Sequence, residues 1–382
     1  MKNNSIEAAK NLANLLQENP TQKVIFLVGA GISTSCGIPD FRSPETGLYH
    51  NLSKLNLPYA EAVFDIDFFE EKPRPFYLLA SELYPGKFKP SRFHLLLKLF
   101  QDNKRLQRIY TQNIDTLERQ AGISQEYIIE AHGSFAENHC INCKKVFKMD
   151  VFKEHLDKYQ KDPNEKNFAR CKSCNGLIKP NIVFFGEDLP KKFFTTWDSD
   201  LETMDEKETR PIVIVVGTSL TVYPFASLPT EVQKDTTRAL INREIVGDFK
   251  VSPRKSDIII ETNSDDAADI IARELGWSEQ LNDLIKEHDL LVTIPDVTEE
   301  LESISKDLDK LTIKDDDSKA TDLESISKEL DKLTIKNDNP KLNESKSSDK
   351  NTKENKSDSN TDDTPEDKNK PSKNDTTESK SK

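Results

Sequence analysis

The stretch VIFLVGAGISTSCGIPDFRS, from Val24 to Ser43, decides the fold of this 382-residue chain. Its first five residues are all apolar, without polar alternation, which is typical of a parallel strand buried on both faces. Gly29-Ala30-Gly31 follows at once, and such a loop lets backbone N–H groups approach a phosphate closely. A dinucleotide loop would have a third glycine where Thr34 stands. Two interpretations therefore stay open, a nucleotide-binding loop and a tight structural turn.

Similar apolar runs recur along the chain, and each ends at a polar residue or a glycine. They are RIYT before Gln112, IVIVV before Gly217, RALI before Asn242 and DIII before Glu261. Segments between them, such as SRFHLLLKLFQDN and DDAADIIARELGW, have helical spacing. The pattern predicts an α/β fold with a doubly wound, Rossmann-like parallel sheet, in which ligands bind at the carboxyl ends of the strands.

The composition changes along the chain and suggests where its parts begin and end. We expect an N-terminal extension (1–22), a main domain (23–277) with a helical insertion (51–105) and a cysteine module (136–180), a C-terminal helix (278–295), and a disordered, acidic, low-complexity tail (296–382). Residues 278–382 contain 28 acidic and 18 basic side chains, so most of the net charge of −13 lies there. The main domain is close to neutral, which argues against direct binding to nucleic acid or to an anionic membrane.

The tail contains a duplication. LESISKDLDKLTIKDD, from Leu301, returns 22 residues later as LESISKELDKLTIKND, from Leu323. Its apolar residues recur at steps of three and four, which gives one narrow helical stripe. The stripe is either a marginal helix in a solvated tail or a helix that docks on this or another protein.

Four of the five cysteines form two pairs, Cys140-x-x-Cys143 and Cys171-x-x-Cys174, separated by 27 residues. Four thiolates at this spacing are typical of a structural zinc ribbon that holds one Zn²⁺ with no open coordination position. A redox dithiol pair and buried free cysteines are the alternatives. Cys36 is left single.

Polar residues follow the predicted strands, where a ligand site is expected. Asn113 and Asp115 come after RIYT, and either could instead cap the next helix. His132 follows the strand-like YIIE and could be a general base or a structural histidine. Asn242 and Glu244 could bind ribose hydroxyls. The usual acidic ribose ligand about 20 residues after a glycine loop cannot be placed, which disfavours a hydride-transferring dehydrogenase.

In their order along the chain, these motifs resemble the sirtuins, the NAD-dependent protein-lysine deacylases. The resemblance covers about Lys23 to Trp277 and is closest to cytoplasmic fungal members of class I. The matching segments are GAGIS (29–33), GIPDFR (37–42), TQNID (111–115), HGS (132–134), the four cysteines, KPNIVFFGE (179–187), VGTSL (216–220) and INRE (241–244).

The resemblance implies a reaction in which NAD is consumed as a co-substrate. Acetyl-lysine and NAD would give lysine, nicotinamide and O-acetyl-ADP-ribose. Mono-ADP-ribosyl transfer and removal of longer acyl groups are the alternatives on the same scaffold, and a catalytically silent NAD-sensing scaffold is a third hypothesis. Acetylated proteins, including histones and cytoplasmic proteins, would be the partners. We expect cytoplasmic residence with visits to the nucleus.

The resemblance also assigns roles to residues. His132 would be the general base, Asn113 would lie by the ribose and an ordered water, and Ala267 or Ala268 would be near the adenine. The predicted NAD-binding residues are Gly29, Ala30, Gly31, Ile32, Ser33, Thr34, Asp40, Phe41, Arg42, Gln112, Asn113, Ile114, Asp115, Gly217, Thr218, Ser219, Asn242, Arg243 and Glu244. The predicted substrate-binding residues are Val183, Phe184, Phe185, Gly186 and Glu187.

Overall fold

The structure is a computed structural model that describes residues 3–39, 57–207 and 210–290. Its strands are β1 (Val24–Val28), β2 (Leu106–Thr111), β3 (Ile128–Glu130), β4 (Gly133–Cys140), β5 (Val146–Lys148), β6 (Ile178–Ile182), β7 (Ile212–Val216), β8 (Arg238–Asn242) and β9 (Ile258–Glu261). Its α-helices are α1 (Asn3–Glu18), α2 (Ile66–Glu71), α3 (Arg74–Leu83), α4 (Arg92–Asp102), α5 (Leu117–Gln120), α6 (Met149–Lys161), α7 (Lys191–Thr203), α8 (Leu228–Glu231), α9 (Asp248–Val251), α10 (Ser264–Glu274) and α11 (Ser278–Leu290).

Six strands form the main sheet, in the order β3-β2-β1-β7-β8-β9. Every neighbouring pair is parallel, and Val28 at the end of β1 lies opposite Thr111 of β2 and Val216 of β7. The chain therefore builds outward from β1 in one direction and from β7 in the other. The predicted Rossmann-like fold is confirmed, and the strand order reverses between β1 and β7, where ligands of such folds bind.

Burial on both faces explains why the strand sequences do not alternate. Val24, Phe26 and Val28 pack with α1, α4 and α10 on one side of the sheet. Ile25 and Leu27 pack with α7, α8 and α9 on the other side. Because alternate residues of a strand point to opposite faces, a strand covered on both sides must be apolar throughout.

A second, smaller module consists of helices α2, α3 and α6 and the antiparallel sheet β5-β4-β6. Tyr77 of α3 lies 5.0 Å from Phe152 of α6 and 4.8 Å from Phe168, measured between ring centres. The helical and cysteine-containing segments, which are far apart in the sequence, therefore share one hydrophobic core beside the main sheet.

The ends of the described chain pack on the main sheet. The Ser5 hydroxyl in α1 donates to the Glu261 carbonyl at the end of β9, 3.1 Å away. In α10, the Asn263 side chain caps the first turn by accepting from the Asp266 N–H at 2.8 Å.

None of the helices in the described ranges is long and apolar enough to cross a bilayer. The duplication in the tail lies outside these ranges.

Candidate active site

A cavity of about 740 Å³ lies at the carboxyl ends of β1, β2, β7 and β8, facing the small module. It is lined by nearly all residues that the sequence predicts for NAD and substrate: Gly29, Ala30, Gly31, Thr34, Gln112, Asn113, Ile114, His132, Val183, Phe184, Phe185, Gly186, Glu187, Gly217, Thr218, Ser219, Asn242, Arg243 and Glu244. A smaller cavity of about 20 Å³ lies between Ala30, Ser33, Ile38, Pro39, Leu83, Asn113, Ile114 and Asp115. Most of the predicted site residues thus meet in one place, at the reversal of strand order.

The glycine loop is both a tight turn and a wall of the cavity. The Gly31 N–H donates to the Gly217 carbonyl at 2.7 Å, and the Gly29 N–H donates to Val216 at 3.1 Å. A Cβ atom on Gly31 would lie 2.6 Å from the Gly217 Cα, which is too close for any side chain. The loop makes two short 3₁₀ turns, Ala30–Ile32 and Thr34–Cys36. The glycines are therefore needed where the loops after β1 and β7 touch.

The amide side chains after β2 are held by both neighbouring loops. Gln112 Nε2 donates to the Thr218 hydroxyl at 2.7 Å. Asn113 Nδ2 donates to the Gly29 carbonyl at 3.2 Å and to the Ser33 hydroxyl at 3.3 Å. Asn113 is buried, so these bonds fix its orientation at the floor of the cavity.

His132 faces the cavity in a defined tautomer. Its Nδ1 lies 3.0 Å from the Gln112 carbonyl oxygen. A carbonyl can only accept, so Nδ1 carries the proton and Nε2 keeps its lone pair. Burial lowers the pKa of His132, although the Gln112 carbonyl acts in the opposite direction. The ring is thus neutral near pH 7 and can accept a proton at Nε2, as a general base must.

Asp115 lies at the smaller cavity, just before helix α5. Its Oδ2 accepts from the Ser33 hydroxyl at 2.8 Å, and its Oδ1 accepts from the Leu117 N–H at 3.0 Å. Burial raises the pKa of Asp115, and its two hydrogen bonds oppose the rise. The N-cap residue of α5 is Thr116 and not Asp115, but the Asp115 carboxylate still binds the first N–H of that helix while it lines the smaller cavity.

A buried ion pair between Lys179 and Glu187 stabilises the segment Val183–Glu187. Lys179 Nζ lies 2.8 Å from Glu187 Oε2 and 4.2 Å from the centre of the Phe184 ring. Burial lowers the pKa of Lys179 to about 8. Burial alone would raise the pKa of Glu187, but the neighbouring His139, whose Nε2 lies 3.7 Å from Glu187 Oε1, and the Lys179 charge lower it to about 2. Both groups are therefore charged at neutral pH, and they fix the turn that carries Phe184.

The backbone of this segment is partly engaged within the protein. The Phe185 N–H donates to the Phe64 carbonyl at 2.7 Å, and the Phe185 carbonyl accepts from the Ile66 N–H at 3.1 Å. Val183 donates to the His132 carbonyl at 2.8 Å, which joins the segment to the histidine loop. The N–H and the carbonyl of Phe185 are therefore both used inside the protein.

The four cysteines lie together at the edge of the small module. Sγ of Cys140 is 3.4 Å from that of Cys174, Sγ of Cys143 is 3.7 Å from that of Cys171, and all four lie within 4.8 Å of one another. Four sulfurs about 2.3 Å from a tetrahedral zinc ion would be about 3.8 Å apart, so the donor set fits one structural Zn²⁺. Gly176 leaves room for Cys140, because a Cβ there would lie 3.0 Å from its sulfur.

Some predicted residues lie elsewhere. Ile32 is fully buried in the core under the sheet, so only its backbone can approach a ligand. Ala267 and Ala268 are also fully buried, because they face the sheet from the first turns of α10. The cavity is instead lined there by Thr262, Asn263 and Ser264, which the sequence prediction missed. Asp40, Phe41 and Arg42 lie outside the described residues.

Other lining residues were also missed by the sequence prediction. Phe64, Leu189, Val222 and Tyr223 contribute apolar surface to the cavity. For Thr262–Ser264 a signal existed: Asn263 precedes the acidic first turn of α10, which is a helix-start pattern at the end of a predicted strand. No comparable signal marks the apolar residues.

This sheet order, with a cleft at its point of reversal and a four-cysteine module beside it, defines a nucleotide-binding α/β protein. Residues 29–224 match the model of the Sir2 family, and the chain belongs to that family.

Curated relatives agree with this assignment. The chain is 57% identical over 263 residues to the NAD-dependent protein deacetylase HST2 of Candida albicans, covering 69% of this chain and 76% of the relative. It is 45% identical over 305 residues to the NAD-dependent protein deacetylase hst2 of Schizosaccharomyces pombe, covering 79% and 86%. It is 42% identical over 303 residues to the NAD-dependent protein deacetylase sirtuin-2 of Danio rerio, covering 75% and 76%. The predicted resemblance to sirtuins is thereby confirmed.

Proposed function

We propose that the protein is an NAD-dependent protein-lysine deacetylase. The observation that carries the proposal is the placement of His132, a neutral imidazole with a lone pair on Nε2, in the cavity that the glycine loop and the Val183–Glu187 segment both line. The wall proposed to bind the nucleotide and the wall proposed to bind the peptide thus meet at His132. The names of the relatives support the same activity.

The cavity fits NAD in size and chemistry. Its volume of about 740 Å³ is within the range of roughly 300–1,000 Å³ for ligand sites. The glycine loop and the Thr34 hydroxyl would hold the pyrophosphate, Thr218 and Ser219 with Asn242 and Glu244 would hold the adenosine half, and Asp115 would receive the nicotinamide carboxamide at the smaller cavity. When bound, NAD supplies a ribose carbon whose bond to a cationic leaving group can be broken.

The residues of this chain orient the reactants and move one proton. Asn113, fixed by Gly29 and Ser33, orients the reacting ribose at the floor of the cavity. The buried ring of Phe184 and the side chain of Val183 exclude water from the acyl-lysine stem, and an apolar wall favours the neutral acylated side chain over charged lysine. His132 accepts a ribose hydroxyl proton at Nε2, while Gln112 holds the opposite edge of the ring.

One product analysis tests this proposal. Purified protein is incubated with NAD and a mixed acyl-peptide library, and the peptides and nucleotides are identified by mass. Loss of acetyl groups with release of nicotinamide, dependent on both substrates, is expected. ADP-ribose added to peptide would favour mono-ADP-ribosyl transfer, preferred loss of long chains would favour a long-chain deacylase, and no turnover would favour a silent scaffold.

Acetylated histones and acetylated cytoplasmic proteins are the proposed substrates, and the cytoplasm is the proposed main location, with visits to the nucleus. Two points support this location. The chain resembles cytoplasmic fungal sirtuins, and its sequence contains no basic cluster of the kind that directs nuclear import. Fluorescence of a tagged full-length chain tests the location. Acetylation levels in the cytoplasmic and nuclear fractions of cells with and without the gene test the substrates.

A further inference from the structure

Three ionisable side chains meet behind the smaller cavity, and two of them have polar atoms without a partner among the described residues. One ring nitrogen of His94 and one carboxylate oxygen each of Asp115 and Glu118 lie within 4.8 Å of one another. His94 is fully buried and Glu118 is 2% exposed, yet His94 Nε2 and Glu118 Oε1 make no hydrogen bond within the described chain. Buried polar atoms are nearly always paired, so this arrangement requires an explanation.

The tautomer of His94 follows from its helix-capping role. The Ser91 backbone N–H donates to His94 Nδ1 at 3.1 Å, and the Ser91 hydroxyl lies 2.8 Å from the same atom. Since Nδ1 accepts from a backbone amide, the proton of the neutral ring is on Nε2. Burial lowers the pKa of His94 to about 3, so the ring is neutral at physiological pH. Nε2 is therefore a donor, and a protonated nitrogen cannot bind a metal ion.

Glu118 is surrounded by groups that favour its protonated form. Burial, and next the charge of Asp115, raise the pKa of Glu118 to about 8, while the Thr111 hydroxyl acts in the opposite direction. Glu130 faces the same region and adds negative charge. Arg119, a cation that acts on the same region, is paired with Glu130 at 2.7 Å. Burial and the neighbouring carboxylates thus favour the protonated form of Glu118 at neutral pH.

We propose that Glu118 is a positioning residue for the nicotinamide end of the cleft: its carboxylic acid proton and the His94 Nε2–H both donate to one buried water, which donates to Asp115. A water about 2.8 Å from each of two polar atoms can bridge atoms that lie up to about 5 Å apart, which agrees with the 4.8 Å limit on this cluster. A buried water with about three polar partners is the usual arrangement. The inference rests on the proposed function, which assigns the nicotinamide carboxamide to Asp115.

The chain of hydrogen bonds has a direct consequence for NAD. While Glu118 keeps its proton, Asp115 is the only anion of the group and is held toward the smaller cavity. When Glu118 loses its proton, it becomes a second acceptor for the same water and repels Asp115. The nicotinamide part of NAD binding should then weaken, whereas contacts to the rest of the nucleotide should not change.

The test compares NAD with ADP-ribose, which lacks nicotinamide, by calorimetry from neutral pH to well above the pKa of Glu118. In the wild-type protein, the ratio of NAD affinity to ADP-ribose affinity is expected to fall about tenfold across this range, the usual effect of disturbing one buried hydrogen bond to a charge. In Glu118→Gln, whose amide donates and accepts like the protonated acid, the ratio should stay at its neutral value. An unchanged pH dependence in Glu118→Gln, or a ratio already lost at neutral pH, would overturn the inference.

A second variant and a ligand-free measurement make the test independent of one substitution. His94→Asn keeps a side-chain acceptor for the Ser91 N–H but removes the Nε2 donor, so it should lower the NAD to ADP-ribose ratio about tenfold at neutral pH. An infrared difference spectrum between neutral and alkaline pH should show loss of a buried carboxylic acid in the wild-type protein and not in Glu118→Gln. No such loss would overturn the inference, whereas wild-type protein that binds neither nucleotide would contradict the proposed function itself.

Discussion

His132 and Gln112 are joined by a 3.0 Å hydrogen bond from imidazole Nδ1 to the backbone carbonyl, across the ends of two neighbouring strands. The side chain of Gln112 in turn donates to the Thr218 hydroxyl on the far side of β1, at 2.7 Å. The orientation of the base is therefore coupled to the loops of β2, β3 and β7 at once. A backbone carbonyl cannot be removed by substitution, so the tautomer of the base is a property of the fold.

Substitution of His132 by alanine should abolish nicotinamide release with acetylated peptide, because no other described side chain presents a neutral base there. Since burial lowers the pKa of His132, the wild-type rate should not decline until the pH is below the ordinary histidine value of about 6.5. The measurement is kcat/KM against pH, with binding of ADP-ribose as the control for folding. If lowering the pH already reduced the rate above pH 7, that result would contradict the assignment.

Zinc removal should unfold the small module first. Cys143→Ser or Cys174→Ser leaves three thiolates and should lower zinc content from one ion per chain, with loss of thermal stability, because structural zinc contributes folding free energy directly. Cys36→Ser is the matched control, since Cys36 is not one of the four clustered cysteines. Metal analysis measures the zinc content, and thermal unfolding measures the loss of stability. A full zinc content in Cys143→Ser would contradict the four-cysteine site.

The sequence predicts those parts of the molecule that depend on local pattern. β1 and β7 match their apolar runs residue for residue, because both strands are buried on both faces. Contacts between distant segments leave no such pattern. Nothing near Tyr77 in the sequence indicates that its ring packs on Phe152, and this contact unites two predicted insertions.

The candidate site shows the same division between local and distant information. Gly31, Asn113 and His132 lie in separate motifs, and they line one cavity, as the resemblance implies. The alanines proposed near the adenine are buried because α10 already begins at Ser264, so they lie on its inner face. The pairing of Gly31 with Gly217 and of Lys179 with Glu187 depends on three-dimensional proximity, which spacing along one chain does not encode.

Lys179→Met should destabilise the protein by about 3 kcal/mol or more, because it leaves the Glu187 carboxylate partly buried without its partner. The KM for peptide should rise more than the KM for NAD, since the ion pair supports Phe184. Urea unfolding and two-substrate kinetics measure the two effects. Lys153→Met is the matched control, because Lys153 and Asp157 form an exposed pair one helical turn apart, worth less than about 1 kcal/mol. A Lys179→Met/Glu187→Met double variant should recover much of the lost stability.

Gly31→Ala should weaken NAD binding and lower stability by about 1–3 kcal/mol, the usual effect of forcing atoms into a packed position. The reason is the 2.6 Å approach of the new Cβ to the Gly217 Cα, where both partners are backbone and neither loop can yield without moving the cavity wall. Gly86→Ala is the control, since no atom lies within 4 Å of its Cβ position and only its φ of +102° is strained. That variant should lose some stability and keep its NAD affinity. Equal NAD affinities in both variants would contradict the role given to the loop contact.

Acid should destabilise the protein through His94. Its pKa is about 3 when folded and about 6.5 when unfolded, so between these values the unfolded chain binds one more proton than the folded chain. The contribution of His94 to stability is therefore fully present above pH 6.5 and is lost as the pH falls, by up to about 1.4 kcal/mol per pH unit. His94→Asn should reduce that slope, whereas His288→Asn, on the last described helix, should leave it unchanged. The free energy of unfolding in urea at several pH values measures the slope, and equal slopes in wild type and His94→Asn would show that the buried ring does not control acid stability.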